Sequence, residues 1–154
     1  MKNDSLELLR RVGTPARPIA EEEDEAASPS FGFLRGVRDR ALNIEFRRER
    51  EGDSFSFPYS WLGPSRHHPS LGVVLLFSGG EQYLVTIRGR NLNTLGETGL
   101  SLYERGILRH RVTFVREMAA EESKGQPDAE CVVERIEVKV VDADEAKKAL
   151  EFSG

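Results

Sequence analysis

Arginine is the side chain through which this sequence is best equipped to do chemistry. Residues 31–119 contain 13 basic side chains, every one of them arginine, against 9 carboxylates, a net of +4. Residues 1–30 carry a net of −3 and residues 120–154 a net of −5. A guanidinium is a planar fork matched to carboxylate and phosphate, whereas lysine is a point charge, so an all-arginine centre points to specific anion pairing. Arg88, Gly89, Arg90 and Asn91 close an apolar run, and Arg105, Arg109 and Arg116 recur at a spacing that shares one side of a helix. Together they form a candidate anion or nucleic-acid site, to which Asn91 could add a hydrogen bond to a base edge or sugar. A solvated charged face, or one covered by the acidic ends, is the competing reading of the same residues.

The other reactive residue types do not assemble into a constellation. His67 and His68 are sequence neighbours in a loop-like segment, where adjacent side chains diverge and make a poor chelating pair. His110 has no Cys or carboxylate at a spacing that would complete a metal site or triad. The Ser78-Gly79-Gly80 turn lacks the surrounding pattern of a phosphate-cradling loop, and Cys131 is alone in the chain. The carboxylate clusters lie in segments with nothing to hold their pKa values apart. The expectation is therefore no enzyme, no metal and no cofactor.

The elements that must position the arginines follow from periodicity. Leu42, Ile44 and Phe46 alternate with polar residues, and Phe55, Phe57, Tyr59 and Trp61 do the same after a turn containing Gly52, which predicts a hairpin. Pro58 must sit at a sheet edge or bulge because it has no N–H to donate. The aromatic row reads as a core face. Residues 71–77 are almost uniformly apolar, the pattern of a strand buried on both faces, and the Ser78-Gly79-Gly80 turn leads into a second hairpin through Tyr83, Val85 and Ile87.

After residue 99 the pattern predicts a helix. Ser101 and Glu104 have the spacing of a capping box, and Tyr103, Ile107, Leu108, Val112, Phe114, Val115 and Met118 fall on one half of the projection. Arg105, Arg109, His110, Thr113, Arg116 and Glu117 fall on the other half. Gly106 weakens such a helix by about 1 kcal/mol relative to alanine. A final strand follows through Ile136, Val138 and Val140. The expected fold is α+β: an antiparallel β-meander packed on one long amphipathic helix, with a returning C-terminal strand.

The expected organisation is a flexible acidic arm over 1–35, a single β-rich domain over 36–141 and a short tail over 142–154. Leu6, Leu8, Leu9 and Val12 follow a cap signal at Asp4 and Ser5, so one or two helical turns are expected there, needing a docking surface. Residues 13–30 combine proline, alanine and an acidic block, the composition of a disordered segment. With 38% hydrophobic residues and no apolar run longer than five, the chain is expected to have no membrane partner and to be cytoplasmic.

The run Val85-Thr86-Ile87-Arg88-Gly89-Arg90-Asn91-Leu92 resembles the second motif of Sm-like RNA-binding proteins, in which a strand ends in Ile-Arg-Gly. The resemblance spans eight residues and implies Arg88 and Gly89 as residues of a uridine pocket on a ring-shaped oligomer. No first Sm motif precedes it, since residues 71–80 lack the Gly and Asp-x-x-x-Asn pattern. The expected function is accordingly a non-catalytic interaction or adaptor module whose main partner is a protein. An Sm-like RNA-binding adaptor is the alternative, with the oligomeric state open.

Overall fold

The computed structural model describes residues 25–96 and 99–151. The expected helical turns around residues 5–12 and the expected disorder up to residue 24 lie outside the described residues, as do 97–98 and 152–154.

Two β-sheets face each other. The first contains β1 (Glu25–Ala27), β2 (Phe31–Leu34), β3 (Asn43–Arg48), β4 (Asp53–Pro58) and β8 (Val112–Arg116), in the order β1-β2-β8-β3-β4. The second contains β5 (Leu62–His68), β6 (Gly72–Gly79), β7 (Glu81–Arg90) and β9 (Val132–Val141), in the order β5-β6-β7-β9. All neighbours are antiparallel except β3 and β8, which run parallel with Phe46 opposite Val115. Residues 25–34, inside the expected arm, thus supply two strands of the first sheet.

The core lies between the sheets and is largely aromatic. Phe57 of β4 stacks on Phe77 of β6 with ring centroids 4.6 Å apart, and Phe46 of β3 meets Phe77 edge-on at 6.0 Å. Val73, Leu75, Val85, Ile87 and Ile136 complete the inner face of the second sheet, all of them buried. Burying such side chains contributes about 1.5–3 kcal/mol each, and this layer is the main source of stability. The outer face of the same sheet is covered by α2 (Ala143–Glu151), whose Ala146 packs on Val74, Leu76, Leu84 and Val141. The uninterrupted Val73-Val74-Leu75-Leu76-Phe77 run is explained by this double burial. Residues 142–151, expected as a tail, supply that cover.

Two buried side chains stitch the sheets together. Ser30 Oγ donates to the Cys131 carbonyl at 2.9 Å and accepts the Val133 N–H at 3.1 Å. Glu117 Oε1 accepts the Arg50 N–H at 3.1 Å, and its Oε2 accepts the Ile136 N–H at 2.7 Å.

The expected meander on one long helix is not what the chain forms. A single π-helical turn at Leu102–Gly106 and a 3-10 turn at Ile107–Arg109 end at His110, which has φ 56°, and the chain then enters β8. Ser101 caps the turn by accepting the Arg105 N–H at 3.0 Å, but Glu104 bonds Asn93 instead of returning to Ser101. Gly106 is buried, and a Cβ there would stand 2.7 Å from both the Ser101 carbonyl and Val112 Cγ2. Val112, Thr113 and Val115 are β-branched, and once the chain reverses at His110 they take the strand conformation their χ1 restriction favours. The remaining helix, α1 (Ala120–Lys124), is one turn long. The hairpin β3–β4 forms as the alternation predicts, with Pro58 on the edge strand β4, but Leu42 lies before β3 and is exposed.

Candidate arginine-rich interface

The structure disperses the arginine site expected from the sequence. Gly89 occupies a register shift between β7 and β9, where an added Cβ would fall 1.9 Å from the Val132 carbonyl oxygen. The backbones approach too closely there for any side chain. Asn91 takes the left-handed conformation, with φ 57°, and its Nδ2 donates to the carbonyls of Asp128 and Glu130 at 2.7 and 2.8 Å. Arg90 donates to the Ser123 carbonyl at 3.2 Å. Arg90 thereby holds α1, and Asn91 the segment between α1 and β9, to the end of β7. Arg88 is exposed and lies 3.9 Å from Glu137, which Arg135 approaches to 3.7 Å.

Arg105, Arg109 and Arg116 do not share a stripe either. Arg116 sits on β8, where it pairs with Glu122 of α1 and reaches Glu49 at 4.0 Å. Its hydrogen bond to Glu122 raises the guanidinium pKa above its ordinary value, and the same bond lowers that of Glu122. Arg105 and Arg109 are exposed on the two successive turns.

The turn that carries Arg109 is instead fastened to the loop that joins β2 to β3. Arg111, buried at the start of the run into β8, donates to the Leu34 carbonyl from Nε at 3.1 Å and from Nη2 at 2.9 Å, and to the Arg35 carbonyl at 2.9 Å. The Ala41 N–H donates to the His110 carbonyl at 2.7 Å. Loop 35–42 is thus fastened at both ends to the turn 107–111. The turn is fixed from beneath, since the His110 ring stacks on Tyr59 at 4.4 Å and the Tyr59 hydroxyl donates to the Val112 carbonyl at 2.6 Å. Burial pushes the Tyr59 hydroxyl far above the ordinary tyrosine range.

The surface so built is both basic and apolar. Leu42 is 85% exposed, Val37 71% and Leu108 42%, and Arg35, Arg38, Arg40 and Arg109 are exposed around them. Asp39 is the only carboxylate in loop 35–42, and among the described residues none of these four arginines makes an ion pair. The excess positive charge is felt locally. The pKa of Arg111 is lowered first by burial and then by Arg40 and Arg109, and that of His110 first by burial and then by Arg40.

Sequence reasoning overlooked this loop because only Arg35 fell in the expected arm, and Leu42 was read as the buried start of the first strand rather than as the end of a loop. The signal was the interleaving of Arg35, Val37, Arg38, Arg40 and Leu42, apolar and cationic residues in a stretch too short to bury either.

Other groupings offer less chemistry. Ser65 Oγ and the Tyr103 hydroxyl are 2.9 Å apart, and the Tyr103 ring lies 5.8 Å from that of His67, whose pKa is lowered chiefly by burial. A cleft of about 220 Å³ beside Ser28, Phe31, Thr94, Leu100 and Glu130 ends at Cys131. Burial, with Glu130 a lesser cause, pushes the Cys131 thiol up to about 12, far from a reactive thiolate. Among the described residues no three of His, Cys, Asp and Glu converge as metal ligands, and no helix is long and apolar enough to cross a membrane. No protein-family model, curated protein or solved structure matches this chain.

Proposed function

We propose that this chain is a non-catalytic interaction module that binds an acidic, apolar-bearing segment of a protein partner on the face formed by loop 35–42 and the turn 107–111. The observation that carries this reading is the exposure of Leu42, Val37 and Leu108 among four arginines that have no carboxylate partner in the described residues. Val37, Leu42 and Leu108 are carried on a loop and a turn fastened to one another, and apolar groups exposed together and rimmed by charge are characteristic of interaction sites. Arginine is favoured there because its fork pairs carboxylates while its stem covers apolar surface. A phosphate backbone would use the arginines and leave the leucines in water, so an acidic polypeptide fits the surface better than RNA does.

The reading is tested by titrating the full chain with a fluorescein-labelled peptide of repeated Glu-Glu-Leu triplets, followed by anisotropy. A double charge reversal, Arg38→Glu with Arg40→Glu, should weaken binding by about tenfold, equivalent to about 1.4 kcal/mol. Leu42→Ser should weaken it as well, with no change in salt dependence. Equal affinity in wild type and all variants would refute the assignment. A single-stranded RNA titrated in parallel, against wild type and Arg88→Ala, examines the Sm-like alternative. Tight, salt-dependent RNA binding lost in Arg88→Ala would put that alternative first.

A further inference from the structure

We infer that the segment preceding β1 is itself a ligand of this face, so that the chain carries its own competitor for the partner. The inference rests on the interaction surface proposed above and names its resident occupant.

Connectivity comes first. In the β1–β2 hairpin, Glu25 is opposite Leu34, Ala26 opposite Phe33 and Ala27 opposite Gly32. Glu25, the first residue of β1, thus lies beside the residue that leads into loop 35–42. Arg111 holds the carbonyls of Leu34 and Arg35 at that junction. The segment before β1 is therefore tethered at the border of the arginine face, where a short linker gives a millimolar effective concentration.

Charge and apolar content are matched as well. Glu21, Glu22, Glu23 and Asp24 are consecutive and lie immediately before β1. On the face itself Arg35, Arg38, Arg40 and Arg109 are exposed, with Asp39 as the single carboxylate in the loop. Farther out, Leu6, Leu8, Leu9 and Val12 provide the apolar groups that Val37, Leu42 and Leu108 lack. The segment thus has the composition expected of the external partner: carboxylates for the guanidinium groups and leucines for the exposed aliphatic patch.

The experiment keeps the full chain and changes Glu21, Glu22 and Glu23 to Gln and Asp24 to Asn. With the Glu-Glu-Leu peptide as probe, an arm at an effective concentration of about 1 mM and an intrinsic Kd of about 0.1 mM competes by about tenfold. The variant should therefore bind the probe about tenfold more tightly than wild type. Its Arg35, Arg38, Arg40 and Arg109 Nε–Hε resonances should shift, while those of Arg48 and Arg116 stay in place. Unchanged probe affinity and unchanged resonances in a chain that does bind the probe would overturn self-docking and leave the interaction surface standing. A variant and a wild type that both ignore the probe would overturn the surface itself. A gain that grows with protein concentration would place the segment on a second copy and overturn the intramolecular arrangement.

Discussion

Replacing Glu117 by Gln is expected to destabilise the domain sharply although the side chain keeps its shape and volume. Glu117 is 2% exposed and follows directly on β8. Its two carboxylate oxygens accept N–H groups from opposite sheets, Arg50 in the β3–β4 turn and Ile136 on β9. Because β9 is an edge strand, the Ile136 N–H has no strand neighbour on that side, and Glu117 supplies the acceptor. A carboxamide has one oxygen, so either the Arg50 or the Ile136 N–H must then face an NH₂ donor. Hydrogen bonds to charged groups contribute about 1.5–3 kcal/mol, and an orphaned buried donor costs a similar amount, so a net loss of about 2–3 kcal/mol is expected. For a chain of this length that lowers Tm by about 5–10 °C. Urea unfolding followed by Trp61 fluorescence measures the loss. Amide exchange at Arg50 and Ile136 should accelerate beyond the global change, which localises it. A variant within about 0.5 kcal/mol of wild type, the range of ordinary surface substitutions, would refute the reasoning.

Gly89→Ala places a Cβ against the Val132 carbonyl oxygen at the β7–β9 register shift, and a loss of about 1–3 kcal/mol in urea unfolding is expected from forcing the backbones apart. Wild-type stability would show that the bulge opens freely. At alkaline pH, Cys131 should make stability fall. Its thiol is pushed up to about 12 by burial, against 9.0 for the ordinary group, so between these values the unfolded chain releases the proton and the folded one retains it. The unfolded state then binds fewer protons, and stability declines as pH rises above 9, by up to about 1.4 kcal/mol per unit. Cys131→Ala should remove this part of the slope, and a thiol reagent should label the native protein only at the rate of its opening; rapid native labelling would contradict the burial.

The strands were legible in the sequence where one face is buried and the other wet. Ile44 and Phe46, then Phe55 and Phe57, alternate cleanly, and their hairpin has the register the pattern demands. The run from Val73 to Phe77 announces burial on both faces, although not that α2 provides the second cover. Residues 101–118 were misleading because apolar residues spaced three and four apart satisfy a helical projection even when a reversal intervenes. His110 in the left-handed conformation breaks that projection into a turn and a strand, and no local residue type forces it. The reversal is imposed from a distance by the Tyr59 ring stacked on His110 and by Ala41 bonded to its carbonyl. Glu117 was placed on a wet helix face for the same reason, although it is among the most buried side chains of the domain.

Where arginine remains exposed follows from which guanidinium groups the fold consumes. Arg47 pairs with Glu45 along β3, Arg48 with Asp53 across the β3–β4 hairpin, and Arg116 of β8 with Glu122 of α1. Arg66 donates to the carbonyls at the C-terminus of α2, Arg90 to the Ser123 carbonyl and Arg111 to those of Leu34 and Arg35. Each ties a helix, or the start of a loop, to the sheets. The Arg-Gly-Arg-Asn run looked like a ligand motif because it concentrates a tight glycine, a left-handed asparagine and a buried-stem arginine, and those are also the tools for turning one strand past another. Paired or carbonyl-bound arginines have little left to offer a ligand without loosening the sheet. In loop 35–42 Arg40 also donates to carbonyls, those of Val37 and Asp39, but these lie within the exposed loop itself, where Asp39 is the single carboxylate and Val37 and Leu42 are left in water. Most of the arginines are thus spent on architecture, whereas those of loop 35–42 stay exposed without a carboxylate partner among the described residues, which is why the proposed interface is placed there.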